Sequence, residues 1–244
     1  MLKFGKANAK LKALQAKYGK VYTLSLLSGH TCPFAKECYS KAFESNGSLK
    51  IVDGPDTQFR CFSASNEVTF PGVYQSRKHN TDLIKSCGND IGKMVDMIES
   101  ALPKDAKVIR VHVAGDMMTL NYMKAWLKVA ANNPNIIFYS YTKSLPLLQK
   151  CLEAKLVPKN YKFTMSRGGK RDDLIPVLKK KYKMKEAKVV FHPSETKLEI
   201  DHDDSHAIGD KDFSLLLHGT MPKGSKAADA IKRMKKENIK FSYS

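Results

Sequence analysis

Val108-Ile109-Arg110-Val111-His112-Val113-Ala114-Gly115-Asp116, followed by an amphipathic run from about Leu120 to Ala131, is the stretch that decides the fold. The first seven residues, mostly β-branched and apolar, predict a strand that ends in the turn Gly115-Asp116. Met123, Trp126, Leu127 and Ala130 then recur at the spacing of one helical face. The unit repeats on both sides. Ile136 to Thr142 predicts a strand followed by a helix near Pro146 to Ala154, and Tyr161 to Ser166 a strand followed by a helix near Asp173 to Tyr182. Upstream, a basic amphipathic start (Ala7 to Tyr18) leads into a strand at Val21 to Leu27, and Ile91, Met94, Val95, Ile98 and Leu102 mark a helix closed by Pro103. Downstream, strands are expected at Lys188 to Phe191 and Ser214 to Leu217, a last helix at Ser225 to Glu237, and a closing strand at Phe241-Ser242-Tyr243.

Short apolar strands alternating with helices imply parallel pairing through crossover connections. The expected fold class is therefore α/β, a complete or partial (β/α) TIM-like barrel with parallel strands, with a doubly wound open sheet as its competitor. One domain over residues 1–244 is expected, carrying an irregular cysteine-bearing insertion at about 28–88. Within it, residues 44–60 are punctuated by Gly47, Gly54 and Pro55 and read as an irregular excursion.

The 244 residues are 42% hydrophobic, enough to build a core of barrel size. No apolar run approaches the roughly 20 residues of a membrane span, and Met1 to Lys6 lacks the apolar stretch of a signal peptide. Both features predict a cytoplasmic protein with no membrane partner. Five cysteines are an odd number for a disulfide framework, so reduced thiols are expected. Lys plus Arg outnumber Asp plus Glu by 42 to 24, and the net charge of +18 favours nucleic acid or an anionic cofactor or substrate. Much of the excess sits at Lys179 to Lys181 and at Lys232, Arg233, Lys235 and Lys236, which read as solvated helix faces.

A barrel of this kind builds its reactive face just past the carboxyl ends of its strands. Those positions read, in order, His30 and Cys32, His112 and Asp116, Lys143, Ser166 and Arg167, His192, and His218. Polar loops and helix caps would supply part of this pattern without any function. The sharpest signal is Gly29-His30-Thr31-Cys32-Pro33-Phe34-Ala35-Lys36-Glu37-Cys38-Tyr39, joined by Cys61 in Phe59-Arg60-Cys61-Phe62. Three such thiolates suit an iron–sulfur cubane with one open iron, and Arg60 is placed to offset their charge. Cys87, in a loop before a helix, is the candidate fourth ligand, whereas Cys151 falls among Leu147, Leu148 and Leu152 and is read as packing. Zinc held by His30 and three cysteines is the rival metal site.

Two further groupings are open to more than one reading. Asp201-His202-Asp203-Asp204-Ser205-His206 suits a hard metal, acid–base work or a polar loop capping the sheet. Ser166-Arg167-Gly168-Gly169-Lys170 has the form of an anion-binding turn for a phosphate, a carboxylate or the amino-acid part of a nucleotide cofactor.

Cys-Pro-Phe-Ala-x-x-Cys at 32–38, Phe-Arg-Cys-Phe-Ser-Ala-Ser at 59–65, Arg-Val-His-Val-Ala-Gly-Asp at 110–116 and Tyr-Thr-Lys-Ser at 141–144 resemble the phage-associated gene-product-eighty-eight family. Ser-Arg-Gly-Gly-Lys at 166–170, Ile-Asp-His-Asp-Asp-Ser-His-Ala at 200–207 and Leu-Leu-His-Gly at 216–219 extend the resemblance over nearly the whole chain. It implies a phage or prophage protein of the host bacterial cytoplasm, with a barrel similar to that of radical S-adenosylmethionine enzymes. The cysteine pattern departs from the Cys-x-x-x-Cys-x-x-Cys loop of those enzymes, having Cys-x-x-x-x-x-Cys and a remote third cysteine.

The expected function is that of an iron–sulfur protein, a redox or radical-type enzyme. Cys32, Cys38, Cys61 and Cys87 would hold a 4Fe-4S cluster, Asp116 and Lys143 would act on a small or anionic substrate, and Arg167, Gly168 and Gly169 would bind a cofactor such as S-adenosylmethionine. The alternative is a basic nucleic-acid-binding protein in which zinc or a cluster only staples the loops.

Overall fold

A computed structural model describes residues 1–239. The strand expected at Phe241-Ser242-Tyr243 lies outside the described residues. A short strand β1 (Gly5–Lys6) is followed by helix α1 (Lys12–Tyr18) and β2 (Val21–Leu24). Next come the hairpin β3 (Ser40–Ser45) and β4 (Ser48–Asp53) and three helices, α2 (Phe62–Thr69), α3 (Pro71–Ser86) and α4 (Ile91–Ala101). The repeating part is β5 (Val108–Val111), α5 (Leu120–Asn132), β6 (Ile137–Thr142), α6 (Leu145–Glu153), β7 (Tyr161–Ser166), α7 (Ile175–Tyr182) and β8 (Lys185–Val190). A short α8 (Ser205–Ile208), β9 (Phe213–Leu216) and α9 (Lys226–Lys236) complete the described chain.

The main sheet has the order β1-β2-β5-β6-β7-β8-β9, with β1 antiparallel and every later pairing parallel. The six parallel strands thus lie side by side in chain order, without the reversal that defines a doubly wound sheet. The sheet is not closed: β1 and β9 are its two ends, so the complete barrel is not formed among the described residues.

Alternation along the strands decides what covers each face. Ile109 and Val111 of β5, Phe138 of β6 and Phe163 and Met165 of β7 pack with Met94, Trp126, Leu148 and Leu178, so α4 to α7 all lie on one face. The intervening residues Val108, Ile137, Tyr139 and Tyr141 face the other way and meet Leu11, Leu14 and Ala207. That second face is covered by the N-terminal segment and by α8 rather than by crossover helices.

Local chemistry sets the boundaries. Asp90 caps α4 by accepting from Lys93 N at 3.0 Å, and Thr119 caps α5 by accepting from Tyr122 N at 3.1 Å. Pro146 and Pro176 stand in the first turns of α6 and α7, where a missing N–H costs nothing.

The insertion at 28–88 differs most from the sequence reading. Residues expected to be irregular form the β3–β4 hairpin, turned at Asn46 and Gly47 with φ of 51° and 70°. That is the Asn-Gly turn whose left-handed residues match the twist of paired strands. Residues 62–86 form two helices, and Cys87 ends the second with its thiol 3.9 Å from the Met97 sulfur in the main core.

The buried face is tied together by a single carboxylate. Asp204, fully buried in a left-handed conformation (φ 60°), takes Lys10 Nζ at 2.8 Å and Arg110 Nη1 at 2.5 Å. It also accepts from the Tyr139 and Tyr141 hydroxyls at 2.9 and 3.2 Å. The acidic run at 201–206 therefore joins the N-terminal segment to the sheet. Among its neighbours, Asp201 accepts from Asp203 N at 3.0 Å, and His206 Nε2 pairs with Glu199 at 2.9 Å.

Burial opposes the charge on Asp204, but Arg110 and Lys10 outweigh it and hold the carboxyl down to about 2. Its stabilising effect is full above the ordinary value of 3.8 and is lost as pH falls through about 2. Replacement of Asp204 by Ala leaves two buried cations without it and is expected to cost about 3–5 kcal/mol in urea unfolding at pH 7. The variant should also lose the parent's change in stability between pH 4 and 2.

Candidate functional site

The carboxyl ends of the parallel strands open into a cavity of about 230 Å³. Three thiols from distant segments line it: Cys32 and Cys38, from the loop after β2, and Cys61, at the start of α2. Asp116, Lys143 and Ser166, from the ends of β5, β6 and β7, line it with them. His112 and His218, at the ends of β5 and β9, are also in its wall, and Lys10 and Arg110 in its floor.

The cysteine loop is held at both ends. At its start, Ser28 donates through N and Oγ to the buried Glu67 Oε1 of α2 at 3.0 and 2.9 Å, and Arg77 Nη1 of α3 reaches the same oxygen at 2.9 Å. At its end, Lys36 N and Glu37 N donate to Gly168 O at 3.3 and 3.0 Å, and Lys170 N donates to Phe34 O at 2.8 Å. Gln58 N then donates to Glu37 O at 2.7 Å, which brings up the segment that carries Cys61.

The turn at 166–170 therefore acts as a clamp. Its amides do bind an anion, but that anion is the protein's own: Gly168 N and Gly169 N donate to the Asp172 carboxylate at 2.8 and 3.0 Å. Gly168 has φ +92°, a conformation that side-chain-bearing residues rarely adopt, so the turn favours glycine there. Arg167 turns to Glu186, with Nη2 2.5 Å from Oε2. Arg167, Gly168 and Gly169 are thus occupied by partners within the chain, and Ser166 is the part of this turn that lines the cavity.

Asp116 and Lys143 are brought together as expected of neighbouring strand ends. Asp116 accepts from Thr142 Oγ1 and Met117 N at 2.7 Å and from Lys143 N at 2.8 Å. Burial nevertheless raises its pKa above the ordinary range, against the pull of these donors. Lys143 Nζ donates to Ser166 Oγ at 2.7 Å and to the carbonyls of Ser166 and Arg167 at 3.2 and 2.6 Å.

Burial also dominates the thiols. The Cys32 thiol is pushed well up by burial, then by Asp116 and by Cys61. Cys61 is raised to about 11 by burial and by Cys38, although the Ala64 and Ser63 amides at the start of α2 pull the other way. All three cysteines line the same cavity.

Other expected members stand elsewhere. Cys87 is packed between Leu83 and Met97 and does not line the cavity. His30 Nε2 lies 2.6 Å from Ala42 O, and among the described residues no group of three or more His, Cys, Asp or Glu is arranged to hold a single metal ion. The zinc site built on His30 is therefore not formed. Arg60 is matched by Asp53, through Nε and Nη2 at 3.1 and 2.6 Å, rather than by the thiols. His192 bonds Glu237 Nε2-to-carboxylate at 2.7 Å on the surface. Lys10 and Arg110 were missed as site residues. The signal for Arg110 was a cation inside the apolar strand Val108–Val111; Lys10 carried none beyond the basic start.

These features define a class: an open, mostly parallel α/β protein with a thiol-lined cavity at its strand ends. Within that class the chain belongs to the gene product 88 family, whose model matches residues 1–237. No curated protein and no solved structure matches it, so the likeness to radical S-adenosylmethionine barrels is without support from a homologue or a structure. Among the described residues, no helix is long and apolar enough to cross a membrane.

In metal-free protein, raised pKa values keep the Cys32 and Cys61 thiols protonated and slow to react. Iodoacetamide labelling mapped by mass spectrometry should modify Cys61 more slowly in the native than in the urea-unfolded protein at pH 8, with the native rate climbing towards pH 10. Substitution of Gly168 by Ala should loosen the clamp, costing about 1–3 kcal/mol and speeding labelling of Cys32 and Cys38.

Proposed function

We propose that this chain binds an iron–sulfur cluster through Cys32, Cys38 and Cys61 and carries out redox or radical-type chemistry on a small anionic molecule. The observation that carries this reading is the convergence of the three thiols, distant in sequence, on one buried cavity beside Asp116 and Lys143. In this reading the six parallel strands form a partial barrel, and the cavity is its mouth, where α/β folds place their chemistry.

The donor set suits a cluster better than one ion. Cluster cysteines bind different irons and need not crowd round one point, and soft thiolates select such clusters. When bound, a cluster supplies one electron at a time. Around it, Lys143 would hold positive charge near the anionic centre, Asp116 would fix the β5 and β6 ends through its three donors, and Arg110 and Lys10 would favour an anionic ligand on the floor. Ligation would release the protons that burial keeps on Cys32 and Cys61, so assembly would be favoured by raising the pH.

Protein purified anaerobically, or reconstituted with ferrous iron and sulfide, should contain both elements and show a broad absorption near the visible-violet edge. Loss of any of Cys32, Cys38 or Cys61 to Ala should abolish it, while Cys87→Ser and Cys151→Ala should retain it. An electron paramagnetic resonance spectrum that changes on adding S-adenosylmethionine would support use of that nucleotide. Absence of iron and sulfide from folded protein would sink the proposal.

A second reading rests on the charge of +18 and on exposed Lys232, Lys235 and Lys236 of α9: the chain binds nucleic acid. Affinity for duplex DNA should then fall steeply with added salt, and Lys→Glu changes at those three positions should remove it. Salt-independent or undetectable binding would leave the charge without that role.

A further inference from the structure

A cubane has four irons, and the three convergent thiols leave one without a protein ligand. We infer that His218 supplies the fourth ligand of the resting cluster, through Nε2, an assignment that rests on the cluster reading above; a nucleotide cofactor that binds the cluster would have to displace it.

His218 follows β9 and lines the same cavity as the cysteines. Its ring lies against that of Phe62, the residue after Cys61, with centroids 4.6 Å apart and planes at 49°. The imidazole and the third thiol are therefore positioned by one packing contact. That contact depends on the next residue, Gly219, whose φ is +95° and where a Cβ would come within 3.0 Å of the Phe62 ring. A larger residue would push β9's end away from α2, and the imidazole with it.

The hydrogen bonding of the ring sets which nitrogen ligates. His218 Nδ1 lies 3.0 Å from Leu216 O. A carbonyl only accepts, so Nδ1 carries the hydrogen and donates it. A neutral imidazole protonated at Nδ1 has its lone pair at Nε2. Ligation then forms one N–Fe bond and releases no proton from this residue. A metal-binding histidine usually donates its other N–H to a carbonyl or carboxylate, which fixes tautomer and ring plane together, and Leu216 O stands in that place here.

The other candidates are less suited. Cys87 belongs to the helical core. Asp116 already accepts three hydrogen bonds. His112, also in the cavity wall, directs Nε2 to the Tyr122 hydroxyl of α5 at 2.9 Å, and its ring packs on Tyr122 in the helical layer. It is the rival that the experiment must separate from His218.

The test uses full-length protein reconstituted anaerobically with ferrous iron and sulfide, labelled with 15N-histidine and reduced with dithionite. Pulsed electron paramagnetic resonance should detect one strongly coupled histidine nitrogen. In His218→Cys the iron and sulfide should remain, the nitrogen coupling should vanish, and the reduction potential should fall, because thiolate replaces neutral imidazole. In His112→Gln the coupling should persist. A cluster with no strongly coupled nitrogen, or a coupling that survives in His218→Cys and disappears in His112→Gln, would overturn the assignment while leaving the cluster intact. Protein without iron or sulfide would instead defeat the reading on which it rests.

Discussion

The inner face of the sheet depends on one buried anion. Asp204 collects Lys10, Arg110, Tyr139 and Tyr141, drawn from the N-terminal segment, β5 and β6, and it stands on a loop from the far end of the chain. Removing three charged groups from water is expensive, and their attraction offsets that cost only where geometry satisfies nearly every donor and acceptor. A carboxylate that takes two cations and two phenols meets this condition. The arrangement lets a half-open sheet cover its second face with a short N-terminal segment and α8, where a closed barrel would have filled the space with its own apolar layers. It also fixes what the cavity above is made of. Arg110 and Lys10 are its floor because Asp204 lies beneath them.

The second constraint is the clamp on the cysteine loop. Gly168 O receives two amides from that loop, while the Gly168 and Gly169 amides are held by Asp172. The turn is thus tied within itself as well as to the loop, and the end of β7 helps to position Cys38 beside the loop's own turns. At the other end, Glu67 binds both Ser28 and Arg77, so β2, α2 and α3 share one buried carboxylate. Cys32, Cys38 and Cys61 owe their convergence to these two anchors, since 28 residues of loop, hairpin and turn otherwise separate the first thiol from the third.

The repeating units were legible because each strand alternates between two environments that the chain marks clearly. Ile137, Tyr139 and Tyr141 face one way and Phe138 the other, and the apolar spacing of α5 completes the unit. The convergence of strand-end groups was legible for the same reason, since parallel strands in chain order deliver their carboxyl ends to one edge. What was not legible depended on contacts far along the chain. Nothing near Gly168 and Gly169 distinguishes a turn waiting for a ligand from one filled by Asp172, although that aspartate is only three or four residues on. Arg60 gave no sign that Asp53 would take its charge. The hairpin at 40–53 was readable from Asn46-Gly47 and from Leu49 and Ile51 alternating in β4, but β3 buries only the small residues Ser40 and Ala42 and so lacks the apolar alternation of the other strands. Cys87 stands before a helix, as a ligand loop would, yet its thiol meets Met97 because α3 packs on α4.

The electrostatics of the cavity favour an anionic occupant. Lys143 donates only to a hydroxyl and two carbonyls, groups that orient an ammonium without neutralising it. Asp116 is the nearest counter-charge to it, and burial raises the pKa of that carboxyl. Burial holds the Cys32 and Cys61 thiols neutral in the metal-free protein. With Lys10 and Arg110 paired to Asp204, Lys143 is the cation that adds a positive field in this region of low dielectric, where charge interactions are stronger than in water. Such a field resists a second cation unless that cation arrives with anions of its own. Iron accompanied by sulfide, as in the proposed cluster, would meet this requirement, whereas a bare divalent ion would not.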